Sequence, residues 1–550
     1  MSIWPDPPVG RPSRRAPAAL MAVACLLGAC GFDSGVTSVS ASRQTPAGVP
    51  ADPTPTAPGD GQEPGTTAPA TGPTTGPTTG PATGPATGPA TGPATGPPGG
   101  DGPRIDVTVP FADVVNADAD KPPRPYDDFV AAAFTDIQRW WHEVFPVVYE
   151  SQWNPLEGGL YAGYPERRTT IPGCGAATTD YLDLQLYVAF YCPFGDFMAY
   201  DDGIGDDSLL APLAEAYGPA VLGVVLAHEF GHAIQSRVGA LEQQLATIVT
   251  EQQADCFAGA WTGQAYRGES PLVRLGDTDV RAGLLAMLEV RDPVGTDQFQ
   301  PGGHGSAFDR VGAFQEGFIR GPARCAELLD EPLPLMPNQF QGVVDFQRGG
   351  NASYDCRDDP RPDCRPAPEF LAEDLNDFWA TELGAGFAPV AVRPVTAGFD
   401  DAPCDGRVDI GAELAVCTGE RTVVFDEPAI RDLYDEFGDF SLGYFYGVAW
   451  AELVQQHLGS PLAGEPRALL GDCLTGVWVR DITPDRLGRT GRTTTSVSAS
   501  PGDLDEAIRI AILIGDPGAS LDVVGSPFEK IGSFRTGVLG GLDACLAELP

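Results

Sequence analysis

Much of this 550-residue chain is written twice, and that constrains its architecture more than any single motif does. Gly223–Gly239 (GVVLAHEFGHAIQSRVG) aligns with Gly443–Gly459 (GYFYGVAWAELVQQHLG), each an apolar stretch at helical spacing bounded by glycine. Asp255-Cys256-Phe257-Ala258-Gly259-Ala260-Trp261 aligns with Asp472-Cys473-Leu474-Thr475-Gly476-Val477-Trp478. Gly276-Asp277-Thr278-Asp279 aligns with Gly502-Asp503-Leu504-Asp505, and Gly305–Cys325 with Gly525–Cys545 without a gap. Unrelated helical stretches would not keep Cys and Trp in register across four ordered blocks. The pattern predicts a tandem duplication and two similar lobes.

The twelve cysteines follow the same plan. The first copy holds Cys174, Cys192, Cys256 and Cys325; the second holds Cys404, Cys417, Cys473 and Cys545. Cys356 and Cys364 lie between them, and Cys25 and Cys30 near the start. Their order suggests the disulfides Cys174–Cys192, Cys256–Cys325, Cys404–Cys417, Cys473–Cys545 and Cys356–Cys364. Four cysteines allow three pairings, so the sequence leaves connectivity open. A cysteine–histidine zinc site competes poorly, because there is no CxxC pair and the second copy has almost no histidine.

His228-Glu229-Phe230-Gly231-His232 is an HExxH motif. Histidines four apart share one helical face and can grip one zinc ion, with Glu229 placed as general base for an attacking water. A third protein ligand is needed, and a fourth position stays open in a catalytic site. Gln235 and Val238 exclude a third histidine just downstream. Glu251, on a following helix, is the candidate ligand, and Asp255 one turn later can orient a ligating histidine, His228 the first choice. In the second copy His228, Glu229, His232 and Glu251 become Val448, Ala449, Glu452 and Ala468, while Asp472 keeps the place of Asp255. His304 becomes Val524, vanishing with the ligands, which makes it the candidate oxyanion stabiliser. Arg310 becomes Lys530, so its charge reads as structural; His142 and His457 lie off the motifs.

The HEFGHAIQ segment, followed by Glu251-Gln252-Gln253-Ala254-Asp255-Cys256 through Trp261, resembles the bacterial neutral zinc metallopeptidases. Phe190-Tyr191-Cys192-Pro193 and His304-Gly305-Ser306 with Arg310, Phe314, Gly317 and Phe318 fit the same pattern. The resemblance covers about residues 126–325 and implies a gluzincin-like, zinc-dependent fold hydrolysing peptide bonds. The family pattern is a single domain, whereas this chain adds a second copy without the ligands. One zinc ion per chain is therefore expected, and a peptide or protein as substrate. A strand over about Tyr181–Phe190, or the one after Cys192, is expected beside the motif helix, where its edge could take an extended substrate.

The start of the chain is of another kind. Arg11, Arg14 and Arg15 precede an apolar run from Ala18 to Leu27, too short for a membrane span and suited to a signal peptide. The run closes on Leu27-Gly28-Ala29-Cys30, which resembles a bacterial lipobox and implies cleavage before Cys30 and lipid on its thiol. Pro, Thr, Gly and Ala then dominate to residue 103, a composition that cannot bury a core and reads as a disordered tether. The net charge of −41 argues against nucleic acid and against electrostatic docking on anionic lipid. The expected organisation is a lipoprotein signal over 1–30, a tether over 31–103, a zinc metallopeptidase domain over 125–325, a connector over 326–365 and an inactive copy over 366–550. The fold class is α+β and mainly helical, a zincin-like domain in tandem, held outside the cytoplasm on a membrane through Cys30. The competing reading is a non-enzymatic envelope lipoprotein that binds or scaffolds.

Overall fold

The computed structural model describes residues 102–550 except 176–187, 205–207, 209, 341, 358, 360, 385, 412, 485–496, 515–525 and 548–550. The signal segment, Cys30 and nearly all of the tether lie outside the described residues, as does most of the strand expected over Tyr181–Phe190. Among the described residues no helix is long and apolar enough to cross a membrane.

The fold is mixed α+β and dominated by helices, as its sequence class predicts. Seven helices of the first half are α1 (Asp127–Tyr149), α2 (Leu210–Tyr217), α3 (Ala220–Arg237), α4 (Thr247–Tyr266), α5 (Asp277–Glu289), α6 (Ala307–Arg320) and α7 (Pro322–Glu327). Seven follow in the second half: α8 (Ala367–Leu383), α9 (Glu427–Phe437), α10 (Asp439–Leu458), α11 (Glu465–Ile482), α12 (Asp503–Ile514), α13 (Pro527–Gly540) and α14 (Leu542–Leu546). The first four-stranded sheet has the order β1 (Val115–Asn116), β2 (Gly159–Gly163), β4 (Phe197–Asp201), β3 (Ala189–Cys192). The second has the order β5 (Ala391–Val395), β8 (Thr422–Asp426), β7 (Leu414–Cys417), β6 (Arg407–Asp409). In each sheet a parallel pair, β2 with β4 or β5 with β8, is followed by an antiparallel partner, β3 or β7.

Helices α3 and α4 are buried on almost every side, α3 through a long apolar run before its motif and α4 with Glu251, Gln252, Gln253 and Asp255 buried among its apolar residues. Small residues set their spacing. A Cβ on Gly231 would stand 2.8 Å from the Ala254 Cα, so glycine is what lets the HExxH helix approach α4. The aligned positions in the second half are Ala451 on α10 and Gly471 on α11, where a Cβ on Gly471 would meet nothing closer than 3.7 Å. At the next crossing, a Cβ on Gly317 would meet the Cys256 carbonyl oxygen at 1.7 Å, and one on Gly537 the Cys473 carbonyl oxygen at 1.9 Å.

Polar anchors recur with the same logic. Asp136 on α1 accepts the Trp261 indole N–H at 2.9 Å, and Asp374 on α8 accepts that of Trp478 at 2.9 Å. Both acids are buried, where an unmatched indole donor would be costly. Ser306 caps α6 and Ser526 caps α13, each hydroxyl accepting the backbone N–H three residues on. The five disulfides join Cys174–Cys192, Cys256–Cys325, Cys356–Cys364, Cys404–Cys417 and Cys473–Cys545, the set that the order of the cysteines suggests.

The halves meet through α6 and α13. Gln315 donates to the Phe528 carbonyl at 2.8 Å, and Arg535 donates to the Phe308 carbonyl. In the ungapped alignment Gln315 pairs with Arg535 and Phe308 with Phe528. The two bonds are therefore exchanged copies of each other, the arrangement of a two-fold interface. Asp505 on α12 also accepts the Phe308 N–H, at 3.1 Å.

Candidate metal centre

His228 and His232 project from one face of α3, and Glu251 faces them from the first turns of α4. The ligand atoms these three side chains offer all lie within 4.8 Å of one another. His228 Nε2 is 3.2 Å from Glu251 Oε2, and His232 Nε2 is 3.5 Å from Glu251 Oε1. The outer nitrogens are tied back. His228 Nδ1 lies 2.7 Å from Asp255 Oδ1, and since a carboxylate only accepts, that nitrogen carries the proton. His232 Nδ1 lies 2.9 Å from Gln235 Oε1, whose amide orientation is fixed because its Nε2 donates to the Thr250 carbonyl at 2.7 Å. Both Nε2 atoms therefore face the Glu251 carboxylate.

Two imidazoles and a carboxylate converging in a buried space need positive charge among them, from protons on the rings or from a metal cation. Glu251 Oε2 is buried and makes no hydrogen bond, so one oxygen of the trio is left for such a cation. Two nitrogens and one oxygen are a donor set for zinc and leave one tetrahedral position free. The residues present fit that ion.

The electrostatics agree. Burial alone would raise the Glu251 carboxyl, but the charges of His232, His304 and His228 outweigh it and hold it well below the usual carboxylate range. Burial pulls His228 down, while Asp255 and Glu251 raise it further, to about 10. Asp255, fully buried, would be raised by burial but is held below its ordinary value by Arg310 and His228. Arg310 grips both its oxygens, Nε to Oδ2 at 2.9 Å and a terminal nitrogen to Oδ1 at 2.8 Å, and also donates to the Val290 carbonyl at 2.7 Å. The structural role expected of Arg310 thus falls at the centre itself, where it fixes the acid that orients His228.

Glu229 is buried, and its Oε2 accepts the Tyr191 backbone N–H at 3.0 Å. Tyr191 lies in β3, which packs beside α3. His304 lies close enough to Glu251 for their charges to interact, its side chain 35% exposed. Its ring Nδ1 is 3.5 Å from Asp292 Oδ1, and Asp292 Oδ2 accepts the backbone N–H groups of His304 and Gly305, each at 2.8 Å. Burial depresses His304, but Glu251 and Asp292 raise it overall. His142 and His457 are exposed on α1 and α10, apart from this cluster.

Gln235 and Asp292 carry orienting roles that the motifs do not announce. For Gln235 a signal exists in the repeat: Gln455 occupies the aligned position and donates to the Arg467 carbonyl at 3.0 Å, the equivalent bond. Asp292 lies between aligned blocks and leaves no such trace.

Comparison with known proteins places this centre in a named context. Residues 111–327 match the family described as "Putative neutral zinc metallopeptidase". An uncharacterized protein of Mycobacterium tuberculosis is 32% identical over 169 residues, covering 27% of this chain and 55% of that protein. The uncharacterized protein YpfJ of Escherichia coli is 31% identical over 183 residues, 29% of this chain and 58% of that protein. The chain thus spans little more than half the length of these relatives. No solved structure matches it significantly. The family match lies on the half that holds His228, His232 and Glu251.

Proposed function

We propose that residues 125–325 form a zinc-dependent endopeptidase, and that residues 366–550 are a duplicate of that domain without the metal site. The observation that carries the reading is the convergence of His228, His232 and Glu251 within 4.8 Å around an oxygen with no hydrogen bond. Zinc held by these three residues would supply a Lewis acid that acidifies a water near neutrality and polarises a scissile carbonyl. Glu229 handles the protons. Its Oε2 is fixed by Tyr191 N–H, and its other oxygen takes the proton of the attacking water and returns it to the departing amine. The carbon–oxygen bond forms first, and the carbon–nitrogen bond breaks once the nitrogen has taken the proton. His304, oriented by Asp292, offers a donor for the oxyanion that develops. The substrate is a peptide or protein.

In this proposal the chain is a lipoprotein, anchored through Cys30 and carried by the 31–103 tether on the outer side of a membrane. A coil of about 70 residues would let the head range roughly 50 Å from its anchor. A non-enzymatic scaffold is the rival function. A structural zinc site would be closed by four protein ligands, and three converge here.

The test is cleavage of a randomised peptide library by the zinc-loaded full chain and by Glu229→Gln. The expected outcome is that the variant keeps its zinc and loses about 10²–10⁴-fold in kcat. A wild type that cuts nothing the variant spares would remove the peptidase reading.

A further inference from the structure

A second cluster of ligand-type side chains lies in the other half, away from the zinc centre. Asp439 is the first residue of α10, and Asp503 and Glu506 stand on the first turn of α12. One carboxylate oxygen from each lies within 4.8 Å of the other two. Asp439 and Asp503 are only 8% and 5% exposed. Each carboxylate spends one oxygen on a backbone N–H: Asp439 Oδ2 on Ala352, Asp503 Oδ2 on Ser500 and Glu506 Oε2 on Phe440, at 2.9, 2.8 and 2.8 Å. The second oxygen of Asp439, Oδ1, is buried with no hydrogen bond at all. Gly438, with φ +96°, leaves room for Glu506, whose Oε1 would be 2.0 Å from any Cβ there.

Among the described residues no cationic side chain forms an ion pair with these three carboxylates, although the charge of Arg291 favours ionised Glu506. The nearby guanidinium of Arg291 is spent on Asp505 at 2.9 Å, and that of Arg348 on Asp359 at 2.6 Å. Nor does the fold need Asp439 and Glu506 as acids, whereas Asp503 corresponds to Asp277. Positions equivalent to Asp439 and Glu506 in the first half are Pro219 and Val280, and α3 and α5 form there without them. Helix N-termini favour acids in their first turns, but by only about 0.3–1 kcal/mol each, too little to gather three of them in a buried space.

We propose that Asp439, Asp503 and Glu506 bind a hard divalent cation of the Ca²⁺/Mg²⁺ class. An all-oxygen donor set selects such ions over zinc. The cation would join the start of α10 to the start of α12, with the Asn351-Ala352 segment held on the same acid. Asp505, on the same turn of α12, accepts the Phe308 N–H at the start of α6, so the site also braces the junction between the halves.

The test is calorimetric titration of CaCl₂, and separately MgCl₂, into the zinc-loaded full chain. Wild type is expected to take up about one ion per chain saturably. The Asp503→Asn/Glu506→Gln double variant should bind at least about tenfold more weakly, and Glu251→Gln, which alters the zinc centre only, should bind as wild type does. Asp439→Asn serves as a second variant should the double variant fail to fold by circular dichroism. The proposal is overturned by no saturable uptake of either ion, which is the outcome if the acids share protons instead. It is equally overturned by uptake that survives in the double variant or disappears in Glu251→Gln.

Discussion

In the first half Asp255 lies between His228 and Arg310; in the second, Asp472 lies between Tyr444 and Lys530, at 2.7 and 3.0 Å. Both acids are fully buried on the same helix position, yet their acidities are shifted in opposite directions. Arg310 and His228 hold Asp255 below its ordinary pKa, whereas burial raises Asp472 despite Lys530 and Tyr444. The framework around them is common to both. Trp261 and Trp478 are anchored alike, Gly317 and Gly537 admit the same crossing, and Gln235 and Gln455 bond the same carbonyl position. What differs is the place of the three converging donors. There the second half has Val448 and Ala468, and Glu452 is paired with Arg467 at 2.6 Å. The lesson is that packing and chemistry are separable in this architecture. An ion pair inside the chain supplies a balancing charge where the first half presents a site for a cation.

The sharpest way to break this comparison is to make the same substitution in both halves. Asp255→Asn leaves Arg310 buried against a neutral amide, and the expected cost is about 3–5 kcal/mol of stability with about 10–100-fold weaker zinc binding. Asp472→Asn keeps an acceptor for Tyr444 and leaves Lys530, 12% exposed and so less enclosed than Arg310 at 4%, without its partner, so about 1–3 kcal/mol is expected and no change in zinc. Denaturant unfolding and a competitive zinc titration read both. Equal effects in the two halves would contradict the division of roles.

A smaller effect tests the small-residue pair. Gly231→Ala drives a methyl into α4 and should cost about 1–3 kcal/mol. Adding Ala254→Gly removes the Cβ at 3.1 Å but leaves the Cα at 2.8 Å, so less than half of the loss should return in a double-mutant cycle. Strict additivity would mean that the two positions do not share one contact. Smallest of all, Arg467→Met should cost below about 1 kcal/mol, because the ion pair with Glu452 is partly exposed, and should leave zinc content untouched. Loss of zinc in that variant would tie the second half to the metal.

Much of the centre is legible in the sequence because helical spacing is local. His228, Glu229 and His232 follow from a four-residue period, and Glu251 with Asp255 from the same period one helix on. The repeat extends this reach, since a position lost together with the ligands is flagged without any structure. Three things escape that logic. Arg310 keeps a positive charge in both halves, so the comparison marks it as structural, although it holds Asp255 directly. Asp292 sits in an unaligned loop, and its role depends on the loop folding back so that its carboxylate meets two backbone N–H groups. The Gln315–Phe528 and Arg535–Phe308 bonds depend on how one half meets the other, which no local pattern encodes.

The central claim is that one half of this chain binds zinc and the other does not. Metal analysis of the zinc-saturated, dialysed full chain tests it most directly, with Glu251→Gln beside wild type. The account predicts one zinc ion per wild-type chain and none in Glu251→Gln. Two ions per wild-type chain, or one that survives in Glu251→Gln, would contradict it.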